Sequence, residues 1–292
     1  MNKEKITVLG LGNLGSAIAQ KLLESNFEVT VWNRSINKTE SLKTQGATVA
    51  GSLLEAIEQG GVFISVLADD EAVETVISEK LLAKLGNGTH ISMSTISPDS
   101  SRKLEEIHKN AGSSYVAAPI FARPEAVLAQ VGNICMSGKT SAKLRAKPFL
   151  ECLARGIFDF GEDPAAANVV KLAGNFMIAA SIEMMAEAYT FAEKNGVNRE
   201  DIHNMLTTTL FASPIFQNYG KMVAQDHYEP VAFFLPLGLK DIKLTLQAAE
   251  NVRVPMAIAD IVKNRFITAL AKGRKNMDWS AFALGVRDDA HK

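Results

Sequence analysis

The feature that most constrains this chain stands at its start. Residues Lys5 to Leu9 read KITVL, a short β-branched apolar run, followed at once by GLGNLG over Gly10 to Gly15 and by SAIAQKLLES, an amphipathic segment ending near Asn26. EVTVW, Glu28 to Trp32, supplies a second apolar run. Strand, glycine turn, helix and strand in that order make a βαβ unit. A glycine triad alone is a weak signal. Set between a strand and a helix, with the second strand ending about 20 residues on, it is the dinucleotide-binding fingerprint. Gly10 permits the tight turn, Gly12 lets a pyrophosphate approach the backbone, and Gly15 lets the helix pack close to the strand. Leu11, Asn13 and Leu14 complete the turn, and the phosphate is expected on the positive N-terminus of the helix.

The end of the second strand chooses between the two nicotinamide cofactors. An NAD site needs Asp or Glu there for the ribose hydroxyls, but this chain reads Trp32, Asn33, Arg34, Ser35 and has no acid before Glu40. An arginine beside amide and hydroxyl groups suits a 2′-phosphate, so NADP(H) is expected and NAD is the less favoured cofactor. The alternative reading of Arg34 is a solvated loop residue.

The alternation continues with a helix over Ser35 to Thr44, a short strand at ATVA, a helix from Ser52 to Gln59 with Ser52 as N-cap, and the strand VFISVL, Val62 to Leu67. Leu67 and the loop Ala68 to Glu71 are expected at the carboxyl edge of the sheet beside the cofactor. THISMST, Thr89 to Thr95, is another buried strand. The hydroxyls of Ser94 and Thr95 either face the ligand crevice or belong to a helix start capped by Ser97 or Asp99. Further strands and a helix near Thr140 to Ala154 fill Ser113 to Phe160. The fold class is α/β: a Rossmann-type doubly wound sheet, then an all-α domain. The change of character at GEDPAAA places the division at residues 1–163 and 164–292.

The run Ala165 to Lys194 is helical in pattern and apolar on nearly every face, with only Lys171, Glu183 and Glu187 charged between its ends. Neighbours are expected on all sides. At about 1.5 Å per residue it spans on the order of 45 Å, enough to bridge two bodies. Its polar residues break every membrane-length window. An ammonium inside such a helix is expensive unless something pairs with it or uses it, which makes Lys171 the anomaly. Asn175, at i+4, shares its face.

Composition narrows the partners. Lys plus Arg number 31 against Asp plus Glu 32, so nothing sequence-wide favours nucleic acid or an anionic membrane, and a small-molecule substrate is expected. The cysteines, Cys135 and Cys152, form no CxxC, and the histidines show no ligand spacing, so no metal is expected. Sparse cysteine and an N-terminus that enters a strand directly point to the cytoplasm. The tail Arg287 to Lys292 is expected to be disordered.

With GLGNLG, NRS, STIS, AAPIF, KLAGN and LGLKDIKL in one order, essentially the whole chain resembles the β-hydroxyacid dehydrogenase family, which includes 3-hydroxyisobutyrate dehydrogenase and tartronate semialdehyde reductase. The resemblance implies an NAD(P)-dependent oxidoreductase acting on a small aldehyde, keto acid or hydroxy acid in a cleft between domains. It implies a helical domain that forms a homodimer or higher oligomer. It further implies that Gly10, Gly12, Gly15, Asn33 and Arg34 hold the cofactor, that Thr95 lies on the nicotinamide side, and that Lys171 is catalytic with Asn175 as partner. Lys240 and Asp241 then lie near the cofactor. Two departures stand out. The family's substrate motif, Asp-Ala-Pro-Val-Ser-Gly-Gly, is here Ala117 to Arg123, with Phe121 and Ala122 where backbone amides of Ser and Gly usually hold a carboxylate, and with Arg123 as either an anion grip or a solvated turn. The double asparagine after the lysine is Gly174 and Asn175. Relatives of this architecture include imine reductases, which generally lack the lysine, and non-catalytic NADP-binding proteins, which tend to have lost it.

Overall fold

A computed structural model describes residues 4–290. They divide into two compact units between Lys171 and Leu172.

The first unit contains nine strands and eight α-helices. In chain order these are β1 (Lys5–Leu9), α1 (Asn13–Glu24), β2 (Glu28–Trp32), α2 (Glu40–Thr44), β3 (Thr48–Val49), α3 (Leu53–Ala56), β4 (Val62–Ser65), α4 (Asp70–Val76) and α5 (Glu79–Leu85). They continue with β5 (Thr89–Ser92), α6 (Pro98–Asn110), β6 (Ser114–Ala117), β7 (Ile120–Phe121), α7 (Pro124–Leu128), β8 (Asn133–Gly138), α8 (Thr140–Glu151) and β9 (Gly156–Asp159). The sheet order is β3-β2-β1-β4-β5-β6-β8-β7, with β9 on β8, and the first six strands are parallel. β8 runs antiparallel to β6 and β7. The reversal of strand order between β1 and β4 is the switch point outside which such sheets bind ligands.

The strands read as continuous apolar runs because both faces are covered. Successive side chains go to opposite cores. Ile6, Val8, Ile64, Ile91 and Val116 enter one, while Leu9, Phe63, Tyr115 and Ala117 enter the other. Ile18 and Leu22, one helical turn apart on α1, are fully buried in the first, each contributing roughly 2 kcal/mol of transfer free energy. A charge at either position would be left without a partner in that core.

Several elements are shorter than their patterns suggest. The segment expected as one helix from Ser35 is a 3₁₀ turn over Ile36–Thr39 followed by α2. Ser52 does cap α3, and Glu55 reciprocates in a capping box, but the helix stops at Ala56 because Ile57 is extended and buried.

The second unit is helical, and its one β feature among the described residues is an isolated bridge between Phe234 and Asp278. The helix α9 (Ala165–Lys194) begins in the first unit and continues into this one. It is followed by α10 (Arg199–Thr208), α11 (Pro214–Gln225), α12 (Leu235–Asn251), α13 (Ala257–Ala271) and α14 (Leu284–Ala290). Pro214 opens α11, where proline at the first helical position loses no hydrogen bond. The core collects Ile182, Met185 and Tyr189 of α9 with Ile242, Phe266, Trp279 and Phe282.

α9 departs from the expectation of burial on all sides. Met177, Met184 and Phe191 recur every seven residues and stand exposed, Phe191 at 72%. The buried Glu183 carboxylate is answered by Arg265 of α13 at 2.6 Å. The tail also differs from expectation: α14 runs through Arg287 to Ala290, and His291 and Lys292 lie outside the described residues. Arg287 is the reason, because its guanidinium pairs with Asp226 and, at 3.3 Å, with Glu193. Asp226 also meets Arg199 at 2.9 Å, so one carboxylate gathers two arginines and the C-terminal helix is tied down.

Candidate active site

The glycine turn has the geometry its sequence requires. Gly10 has φ +93, and a Cβ there would lie 2.4 Å from the Val66 carbonyl oxygen of the neighbouring strand connection. A Cβ on Gly15 would lie 2.0 Å from the Gly10 carbonyl oxygen, so α1 can approach β1 only without a side chain. At Gly12 a Cβ would meet nothing within 4 Å. Gly12 is the N-cap of α1 and offers no side-chain cap, and the first turn carries no acid. Uncapped first-turn amides opening onto space beside Gly12 fit a pyrophosphate. Leu11, by contrast, is 2% exposed and packs in the core, so only its backbone is available to a ligand.

Asn33 has a second duty that the sequence did not disclose. Its Oδ1 accepts from the Leu11 amide at 2.9 Å, and its Nδ2 donates to the Ser35 carbonyl at 3.0 Å. The end of β2 is thereby fastened to the turn, next to the Gly10 N–H to Trp32 carbonyl bond at 3.0 Å. Arg34 and Ser35 are exposed beside it, and Arg34 forms no ion pair with any described residue.

The connection after β4 is braced from β5. The Leu67 amide donates to Ser94 Oγ at 2.8 Å, and Ser94 is 2% exposed, so this hydroxyl holds two strand ends together. Thr95 is half-buried. Ser97, not Asp99, is the N-cap of α6, and Asp70 reinforces it by accepting from the Ser97 amide and from Ser100 Oγ.

The start of α9 is stitched to the same edge. Asn168, fully buried, accepts from the Ile96 amide and donates to Ser101 Oγ at 3.3 Å, while the Ala167 amide donates to Ser137 Oγ at 3.0 Å. One turn on, Lys171 is buried with its Nζ 4.0 Å from the centroid of the Phe121 ring. Cys135 of β8 is close enough to respond: burial pushes its thiol up, and the Lys171 ammonium pulls it down. Lys171 and Phe121 are 50 positions apart in sequence, and only the placement of β7 brings them together. Ala122 packs against the core below. Arg123 forms an ion pair with Glu125 at 3.2 Å across the first turn of α7.

In the second unit, Asn175 Nδ2 donates to Asp241 Oδ2 at 2.6 Å. Asp241, on α12, is wholly buried, with Lys240 Nζ 2.8 Å from its other oxygen in an ion-pair contact outside hydrogen-bond alignment. A carboxylate between Leu239 and Ile242 on an apolar helix face was a readable signal for such a partner. No group of His, Cys, Asp and Glu among the described residues could hold a metal ion.

These observations agree with the comparisons to known proteins. A sequence model of the NAD binding domain of 6-phosphogluconate dehydrogenase matches residues 5–161, and one of the NAD-binding domain of NADP-dependent 3-hydroxyisobutyrate dehydrogenase matches residues 165–284. The chain belongs to the β-hydroxyacid dehydrogenase family. As a β-hydroxyacid dehydrogenase it is an NAD(P)-dependent oxidoreductase of the reductase and dehydrogenase type. It is 40% identical to the uncharacterised oxidoreductase YfjR of Bacillus subtilis, over 97% of this chain and 100% of that one. It is 27% identical to glyoxylate/succinic semialdehyde reductase 1 of Arabidopsis thaliana, over 97% and 98%. A 3-hydroxyisobutyrate dehydrogenase from Mycobacterium tuberculosis shares the fold, with TM-score 0.87 and 22% identity over 98% of this chain and 100% of that one.

Proposed function

We propose that this β-hydroxyacid dehydrogenase is an NADPH-dependent reductase of small carbonyl compounds, able to run in reverse on the hydroxy product, with Lys171 as its acid and base. The observation that carries the reading is a buried ammonium one helical turn beyond a stitched helix start, in the unit that holds the glycine turn. The nicotinamide, when bound, supplies the hydride. Lys171 would donate a hydrogen bond from Nζ to the substrate oxygen, stabilise the charge that develops there, and pass it a proton. Asn175, with Nδ2 given to Asp241, keeps Oδ1 for a donor on substrate or lysine. Gly10, Gly12, Gly15 and the amides of Asn13 and Leu14 would cradle the pyrophosphate, with Leu67 and Thr95 towards the nicotinamide.

The preference for NADPH rests on an exposed Arg34 at the end of β2 that forms no ion pair with a described residue, with Ser35 beside it and no acid to receive ribose hydroxyls. The exposed stripe Met177, Met184 and Phe191 supports a homodimer, since a second copy could cover it. Two free thiols support a cytoplasmic protein. Imine reduction is a second reading, favoured by Phe121 and Ala122 in the altered substrate segment and opposed by the retained lysine.

NADPH and NADH oxidation followed against glyoxylate, succinic semialdehyde and a cyclic imine tests these readings together. Turnover of an aldehyde with NADPH, lost in Lys171→Met while NADPH binding persists, is the expected result. Substantial aldehyde turnover in Lys171→Met removes the lysine from the mechanism, and a preference for NADH removes Arg34 from cofactor choice.

A further inference from the structure

A buried lysine is held at a defined point only if something gives its charge a reason to stay there. The side chain has four rotatable bonds, and an ammonium loses hydration when it is buried. In the first unit the group that meets the Lys171 ammonium face on is a ring: Nζ lies 4.0 Å from the Phe121 centroid, well inside the range over which an aromatic quadrupole attracts a cation. Phe121 sits at the end of the two-residue strand β7, whose pairing with β8 is registered by Ile120 against Ile134 and Phe121 against Asn133. The ring also packs in the buried cluster with Cys135, Ala167 and Val170, so it cannot easily turn away.

We propose that Phe121 is a positioning residue for Lys171, its ring keeping the ammonium protonated and aimed while the substrate oxygen acquires charge. The inference rests on the catalytic reading of Lys171 for its functional consequence, but the contact itself can be tested without a substrate. The ring opposes the effect of burial, which favours the neutral amine. Cys135 also feels this ammonium, which lowers its thiol against the upward push of burial. An aromatic face attracts an ammonium without offering a base that could take its proton.

The test replaces Phe121 by mono-, di- and trifluorophenylalanine, which keep the ring's shape and progressively weaken its quadrupole, and by leucine. In protein carrying lysine labelled with carbon-13 at Cε, the Lys171 resonance is assigned by its loss in Lys171→Met. Its titration midpoint should fall stepwise along the series and, in Phe121→Leu, by roughly 0.4 to 1.5 pH units. Turnover of succinic semialdehyde with NADPH should fall in the same order, roughly two- to thirty-fold in kcat for Phe121→Leu, with NADPH affinity unchanged. A midpoint that stays flat or rises across the fluorinated series overturns the inference, because a ring that merely fills space is indifferent to fluorine at this level. The two proposals fail separately. Activity in Lys171→Met defeats the catalytic reading and leaves the titration to judge the ring, whereas an inactive Lys171→Met with a flat titration defeats only the ring.

Discussion

Mild acid should destabilise the nucleotide-binding unit through two histidines buried in it. His90 on β5 and His108 on α6 are both fully buried. Ser65 Oγ is 2.7 Å from His90 Nε2, His90 Nδ1 is 3.2 Å from His108 Nε2, and His108 Nδ1 is 2.7 Å from the Leu104 carbonyl oxygen. Because a carbonyl can only accept, His108 must carry its proton on Nδ1, which leaves Nε2 to accept from His90 Nδ1. His90 Nε2 then accepts from the Ser65 hydroxyl. Both rings are neutral and every ring nitrogen is paired. A further proton on His108 Nε2 would confront the His90 N–H. Burial lowers the His108 pKa to about 4, and burial together with His108 holds His90 well below its ordinary value. The unfolded chain, titrating near 6.5, therefore takes up protons that the native state refuses, so stability is complete above that value and is lost as pH falls towards 4. The loss is about 1.4 kcal/mol per pH unit for each histidine in that window. His108 alone amounts to about 2 kcal/mol at pH 5 and about 3 kcal/mol at pH 4, and His90 adds in the same direction, against a typical total of about 5–15 kcal/mol. Urea unfolding followed by circular dichroism at about pH 7.5 and about pH 5 measures it, with the double variant His90→Phe, His108→Leu as control. The variant should be weaker at neutral pH, having lost the hydrogen-bond chain, but nearly indifferent to acid over this window. If it loses as much stability between the two pH values as the parent does, the histidines are not the cause.

Three further outcomes follow from the sites described above. Gly15→Ala should abolish NADPH binding in a calorimetric titration, since the added Cβ falls 2.0 Å from the Gly10 carbonyl oxygen and α1 must move off β1; unchanged affinity would contradict the geometry. Arg34→Ala should weaken NADPH roughly 10- to 100-fold and leave NADH alone, a pattern read directly from the two dissociation constants. Asn175→Ala leaves the buried Asp241 Oδ2 without its 2.6 Å donor and should cost about 1–3 kcal/mol in urea unfolding as well as slowing turnover; a purely kinetic effect would show that the pair is not structural.

The succession of strands and helices was legible because the signals are local. A strand, a glycine turn and a helix each depend on neighbours within a few positions, so the βαβ start and the alternation after it could be followed to β6. Lengths were less legible. The segment from Ser35 held a helical pattern yet folds first as a 3₁₀ turn. Arg287 reads as tail until Asp226 and Glu193 are seen around it.

At the candidate site the division is the same. Sequence by itself determined the glycine turn, the missing acid at the end of β2, and an ammonium where an apolar helix should have none, because each follows from residue type and spacing. Only the tertiary structure decided that Ser94 braces Leu67, that Arg123 pairs with Glu125, that Asn175 is bound to Asp241, and that the Lys171 ammonium rests on the Phe121 ring. Those pairings, apart from the local one of Arg123, join residues tens of positions apart, and hydrogen-bond and cation–π energies depend on ångström distances that periodicity does not carry.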